Sequence, residues 1–304
     1  MAADLIELAA TRPVELVIRE PWKFGGALAA AHLGIPCVLH GIGAIANVEE
    51  VVELAGPRLC QHAAEYGQPD DLWAWIGGDL YLDPCPPCLQ NAATLFHPKT
   101  SQPLRPDVFD TTDGDASVPE WMDDLGARPV VYVGLGTVIN RWHGLLERLV
   151  GEIRELDVDV VVTTGPGFDP ADLGQQPGNV GDEQYLPLST LLPRCDLVVC
   201  HAGWGTTIAA LTHALPIIAI SLGADGHRTA QQLHDSGLGR CIAHETVGSG
   251  AIATAVTDLL HNDTARIAAR SARLQIQTMS GPPEAAHVIN GLVRTAGPLI
   301  QAPT

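Results

Sequence analysis

The chain has 304 residues, 46% of them hydrophobic, with 31 glycines and 23 prolines, the composition of a folded globular protein with many tight turns. Its net charge of -18 offers no basic footprint for a nucleic acid, so an anionic ligand must be held by local donors rather than by the field of the whole molecule. No apolar run approaches a membrane span, the N-terminus lacks the basic start and apolar core of a signal peptide, and the seven cysteines are an odd set in a chain too large to need staples; together these set the expectation of a cytoplasmic protein with free thiols.

In chain order, the opening residues read as a helix ("MAADLIELAAT"), a strand (14–20, "VELVIRE"), a helix (24–34, "FGGALAAAHLG") and a strand (36–43, "PCVLHGIG"). Apolar strands alternating with small-residue helices imply a parallel sheet. Residues 47–80 read as mostly helical. Residues 83–128 are rich in Pro, Asp and Thr without a period, and read as loops and an interdomain linker. A second alternation starts at Val130: strand "VVYVG", a helix near 143–156, strand "VDVVVTTG", a short strand near "EQYLP", helix "LSTLLPRC", strand "DLVVC", helix "TTIAALTHA", strand "PIIAIS", helix "HRTAQQLHDSG" and strand "RCIA". Helices follow near 249–262 and 263–278, then a closing helix. The expected division is a partial first lobe (1–115), a linker (116–128), a nearly complete doubly wound second lobe (129–280) and a tail helix (281–304).

One turn carries more chemistry than a connection needs. In "VVCHAGWGTTIAALTHALP" a strand runs into a helix through His201, Gly203, Trp204, Gly205, Thr206 and Thr207. In a doubly wound sheet of order 3-2-1-4-5-6, ligands sit beyond the carboxyl ends of the strands where the order reverses, between the first and fourth strands. The first strand of this lobe ends in Leu135, Gly136 and Thr137, and the fourth runs into the His201 turn. Two glycine-and-hydroxyl turns therefore fall side by side at the expected ligand site. A helix N-terminus with unpaired N–H groups, close backbone approach at glycine, and donors from the threonines and His201 suit a diphosphate. The plain alternative is a tight turn with Thr206 as helix cap and His201 as a satisfied core residue.

These stretches, with "VVYVGLGTVIN", "YLPLSTLLPRCDLVVCHAGWGTTIAALTHALPIIAISLGAD" and "LDPCPPCLQ", resemble GT-B glycosyltransferases, and most of all the bacterial enzymes that glycosylate macrolides, anthracyclines and enediynes. The resemblance implies an α/β fold of two Rossmann-like doubly wound lobes, the N-terminal one incomplete and acceptor-binding, the C-terminal one binding a nucleotide sugar. It implies that Gly136, Thr137, His201, Gly203, Trp204, Gly205 and Thr206 hold the donor diphosphate. Tyr185 and Leu186 would serve the nucleotide base, the first by its ring and the second by its backbone, and Asp225 the sugar hydroxyls. The alternatives are a strand aromatic for Tyr185 and a helix N-cap for Asp225. Two departures stand out: relatives usually follow that Asp with Gln where this chain has Gly226, and often place Gln where it has Leu188.

The family begins with a Gly-rich, His-bearing strand whose His is the base on the acceptor hydroxyl, and the resemblance places Met1 well downstream of it. Glu20 matches the acidic residue that orients that His; its alternative is a solvated strand-end carboxylate, and His40 is the other place to look for a base. The function implied is inverting, metal-independent transfer of a sugar from a UDP- or TDP-sugar co-substrate to a hydroxyl of a hydrophobic natural product, with no cofactor and no nucleic acid, and with homo-oligomerisation open. A non-catalytic nucleotide-binding remnant is the alternative, and a nucleotide-sugar epimerase is disfavoured for want of additional cleft carboxylates. "CPPC" (Cys85 to Cys88) has no second pair at metal-ligand distance, so no metal is expected. His213, His227, His234 and His244 share no spacing and read as surface residues; Trp73, Trp75 and Trp121 read as core or as acceptor-cleft walls.

Overall fold

Short apolar strands alternating with helices build two parallel sheets in a computed structural model of the chain. Residues 1–43, 48–69, 71–90, 100–110, 119–137, 144–222 and 225–296 are described. The chain forms two units, one of residues 1–86, 90–106 and 278–304, the other of residues 87–89 and 107–277.

The first unit contains α1 (Ala2–Thr11), β1 (Val17–Arg19), α2 (Phe24–Leu33), β2 (Cys37–His40), α3 (Val48–Glu65), α4 (Trp73–Ile76), β3 (Leu80–Asp83) and β4 (Ser101–Pro103). Its sheet has the order β1-β2-β3-β4, all parallel. Helix α2 stops at Gly34, whose φ of 67° lets its N–H return to the carbonyls of Ala30 and Ala31. Along β2 the side chains alternate: Cys37 joins a core with Ala27, Ala30, Ile35 and Trp75, while Val38 joins Leu80, Leu82 and Leu104.

One expectation holds and one is corrected here. Residues 47–80 are mostly helical, through α3 and α4, with β3 starting at Leu80. Residues 83–128 are not only loop, because β4 pairs with β3 through Tyr81↔Ser101 and Asp83↔Pro103. "LYLD" is too short for its period to separate strand from helix. "SQP" has no apolar face and pairs through its backbone alone, with its proline at the end of a strand on the sheet's edge.

The second unit contains β5 (Val130–Gly134), α5 (Leu145–Ile153), β6 (Asp159–Thr163), β7 (Val180–Glu183), α6 (Leu188–Leu191), β8 (Leu197–Cys200), α7 (Trp204–Thr212), β9 (Ile217–Ser221), α8 (Asp225–Asp235), β10 (Gly239–Ala243), α9 (Ala251–Leu260) and α10 (Asp263–Thr278). The strand order is β10-β9-β8-β5-β6-β7, all parallel. Counted within this unit, that is 3-2-1-4-5-6, with the reversal between β5 and β8, where Gly134 lies opposite Cys200. Valines and isoleucines of β5, β6, β8 and β9 form a continuous buried layer with Leu145, Leu149, Ile153, Val256 and Leu259. Trp121 lies against Gly181 of β7, where an added Cβ would come within 2.5 Å of its ring, and donates its indole N–H to Glu183 at 3.3 Å. Trp121 therefore covers an edge strand of the second unit, whereas Trp75 belongs to the first unit's core; the side chain of Trp73 lies outside the described residues.

The closing helix, α11 (Pro282–Ala296), returns to the first unit. Ala285, Val288, Ile289 and Leu292 recur at helical spacing and pack with Val38, Leu80, Leu82 and Leu104. The described part of the expected tail helix thus packs into the first sheet's core.

Candidate functional site

The turn from β8 to α7 is built around one imidazole. An added Cβ at Gly203 would lie 2.3 Å from His201 Nε2, and one at Gly136 would lie 2.4 Å from His201 Cε1. Both glycines therefore border the same edge of the ring, and the two turns that the sequence places side by side do meet. Gly203 itself has an ordinary φ of -62°; the left-handed residue is Ala202, at φ 61°. At 203 the geometry requires glycine for space and not for a left-handed backbone. At 136 both apply, since φ there is 76°.

Gly203 is the N-cap of α7 and provides no side-chain bond to the helix, so the first N–H groups of α7 have no cap from that position. Around Gly205, in that first turn, no described residue beyond its own helix backbone and chain neighbours comes within 4 Å of where a Cβ would sit. Thr206 is half-buried in the same turn and is not the cap, while Thr207 is fully buried and presents no hydroxyl to a ligand. Trp204 is half-buried and Thr137 is exposed. Beneath the turn, burial pushes the Cys200 thiol up to about 12, so that residue is an apolar wall and not an anion.

Other expected residues occupy the same C-terminal rim of the second sheet. Tyr185 follows β7 and is 51% exposed, a large aromatic left open, while Leu186 is 6% exposed and has only its backbone to offer. Near them Tyr132 and Thr163 share a hydroxyl hydrogen bond of 2.7 Å. Asp225 is the first residue of α8, past the N-cap position; its side chain lies outside the described residues. An added Cβ at Gly226 would lie 2.9 Å from the carbonyl oxygen of His201, so the start of α8 packs against the His201 turn. Ser221, at the end of β9, has its Oγ 2.7 Å from Nδ1 of His227. The sequence gives no sign of that pair, because its partners stand on different elements and His227 shares no spacing with other histidines. Of the histidines expected at the surface, His213 and His244 are half-buried. Burial pushes His213 down, with Arg273 adding to the effect and Asp110 opposing it.

In the first unit, Glu20 follows β1 and its carboxylate accepts from the Trp22 N–H at 2.8 Å and pairs with Lys23 at 3.4 Å. Nδ1 of His40 lies 2.6 Å from the Gly41 carbonyl. The buried Asp83, raised by burial, accepts from the Cys85 N–H and from Gln90, fixing the start of the "CPPC" stretch. All seven cysteines are free thiols.

Residues 147–294 match the family described as erythromycin biosynthesis protein CIII-like, C-terminal domain. Over 283 residues the chain is 31% identical to the elloramycin glycosyltransferase ElmGT of Streptomyces olivaceus, an alignment that covers 90% of this chain and 68% of that one. The chain belongs to this family of antibiotic glycosyltransferases. The demethyllactenocin mycarosyltransferase of Streptomyces fradiae is 31% identical over 176 residues, which are 58% of this chain and 38% of that one. This family member thus spans between 38% and 68% of the length of these two relatives. The solved structure of Streptomyces sp. SF2575 glycosyltransferase SsfS6, complexed with thymidine diphosphate, aligns with a TM-score of 0.72 at 26% identity, over 96% of this chain and 73% of that one. The fold of this family member is the GT-B fold.

Proposed function

We propose that the second unit binds a nucleoside diphosphate sugar and that the chain serves transfer of that sugar to a hydroxyl of a hydrophobic natural product, with inversion and without a metal ion. The observation that carries this reading is the His201 ring held against Gly136 and Gly203 beside the N-terminus of α7, at the reversal of the strand order. Thymidine diphosphate, bound in the related SsfS6 structure, is the donor nucleotide this reading favours.

The chemistry follows from the charges. As the acceptor oxygen bonds to the anomeric carbon, the bond from that carbon to the diphosphate oxygen breaks and negative charge collects on the leaving diphosphate. The N–H groups of α7 and a ring N–H of His201 stabilise that charge without reorganising, which lowers the barrier more than it tightens the ground state. Thr137 and Thr206 add hydroxyl donors, Tyr185 offers a face to the base, and Asp225 accepts from the sugar. The acceptor's proton goes to a general base, and Glu20 is the residue proposed to orient it.

Titration calorimetry tests the donor half. The chain binds thymidine diphosphate, and His201→Ala weakens that binding roughly tenfold to a hundredfold, the worth of one charge-assisted hydrogen bond. No binding by the wild type, or equal affinity in the variant, overturns the assignment. Release of nucleoside diphosphate upon addition of a hydrophobic alcohol then separates a transferase from a protein that only binds the nucleotide.

A further inference from the structure

Beside the His201 turn stands a hydrogen-bonded pair on the next strand and helix. Strand β9 is the immediate neighbour of β8, in the register Val198↔Ile217 to Cys200↔Ala219. Its last residue, Ser221, has its Oγ 2.7 Å from Nδ1 of His227, in the first turn of α8. That turn is pressed against the His201 backbone through Gly226, where an added Cβ would lie 2.9 Å from the carbonyl oxygen. Position 226 therefore has no room for a side chain. The next residue, His227, has an exposed ring with Nδ1 engaged by the serine and Nε2 left for a ligand.

We infer that His227, held by Ser221, contacts a hydroxyl of the donor sugar and helps select it. The inference rests on the proposed donor site. A diphosphate at the start of α7 already has the helix N–H groups and His201. A polar group one strand further along the rim meets what the diphosphate carries. A sugar hydroxyl both donates and accepts, so it suits the imidazole in either tautomer. Anchoring by Ser221 orders the ring before the ligand arrives, which reduces the entropy lost when the second bond forms. His227 is then a sugar-contacting residue and Ser221 a positioning residue.

The test compares thymidine diphosphate with thymidine diphosphate glucose by calorimetry on the full chain. His227→Ala should leave the diphosphate affinity within about twofold and weaken the nucleotide sugar roughly three- to tenfold, the worth of one neutral hydrogen bond. Ser221→Ala, which keeps the ring but frees it, should give a smaller loss for the same ligand, and His227→Gln should recover part of it. Equal losses for both ligands make the pair a clamp on α8 and overturn the inference, as does an unchanged affinity for the nucleotide sugar. Failure of the wild type to bind thymidine diphosphate instead removes the donor site on which the inference depends.

Discussion

Gly136 and Gly203 leave room for one ring, and Ala202 between His201 and Gly203 takes the left-handed backbone at φ 61°. An alanine there costs about 1–2 kcal/mol, and such strain persists only where surrounding contacts fix it. The turn is thus held in shape before any ligand arrives, with the His201 edge beside the start of α7. Gly205 plays a different part. It lies in the first turn of α7, exposed, with no described residue beyond its own helix backbone and chain neighbours within 4 Å of an added Cβ. In the free chain, Gly205→Ala should raise stability by about 0.5–1 kcal/mol, since alanine orders a helix more cheaply than glycine. If a diphosphate approaches the backbone there, the same variant should bind thymidine diphosphate at least tenfold more weakly. Thermal melts and calorimetry on one preparation read both effects. A stabilised variant with unchanged affinity means that the open space over Gly205 is only solvent.

At the scale of elements, the four central strands of the second sheet were legible because they are buried on both faces, whereas the partly exposed β7 begins upstream of the "EQYLP" run expected to hold it. "VVYVG", "DLVVC" and "PIIAIS" are continuous apolar runs bounded by glycine or a polar cap, and each strand falls within one or two residues of where the run does. The strands β3 and β4 were not legible, since one is four residues long and the other has no apolar side chain apart from Pro103. The His201 turn could be found from its residue types, but not the reason for its glycines, which is the position of a ring. Nor could the Ser221–His227 bond be found, which depends on how α8 meets β9. Links between elements of this kind also carry stability. Glu152 of α5 accepts from the N–H groups of Ile252 at 2.9 Å and Ala253 at 3.2 Å, and from that of Gly248. Gly250 caps α9 without a side chain, so a carboxylate from another helix does the capping. Glu152→Ala should cost about 1–2 kcal/mol, and Glu152→Gln, which keeps an acceptor oxygen without the charge, about half of that. Urea denaturation of the three proteins checks the order, and coincident midpoints would remove the cap from the account.

For the whole molecule, charge and connectivity set the terms. A net charge of -18 repels a diphosphate at long range, so the proposed donor site requires the α7 terminus and His201 to outweigh that field locally. The chain crosses from the first unit to the second and back, because α11 completes the core around Val38, Leu80, Leu82 and Leu104. The core around β5, β6, β8 and β9 contains residues of the second unit alone. Damage to one core should therefore spare the other. Ala285 is 4% exposed within the α11 contact, and Ala285→Asp places a carboxylate where water cannot reach it, a cost of several kcal/mol. Hydrogen exchange should then rise in β2 and β3 while β5 and β8 stay protected. Thymidine diphosphate should still bind within about threefold of wild type and, at a hundred times its Kd, should stabilise the second unit by about 2.7 kcal/mol. If Ala285→Asp opens β5 and β8 together with β2 and β3, or abolishes nucleotide binding, the two cores fold as one and the donor site depends on α11.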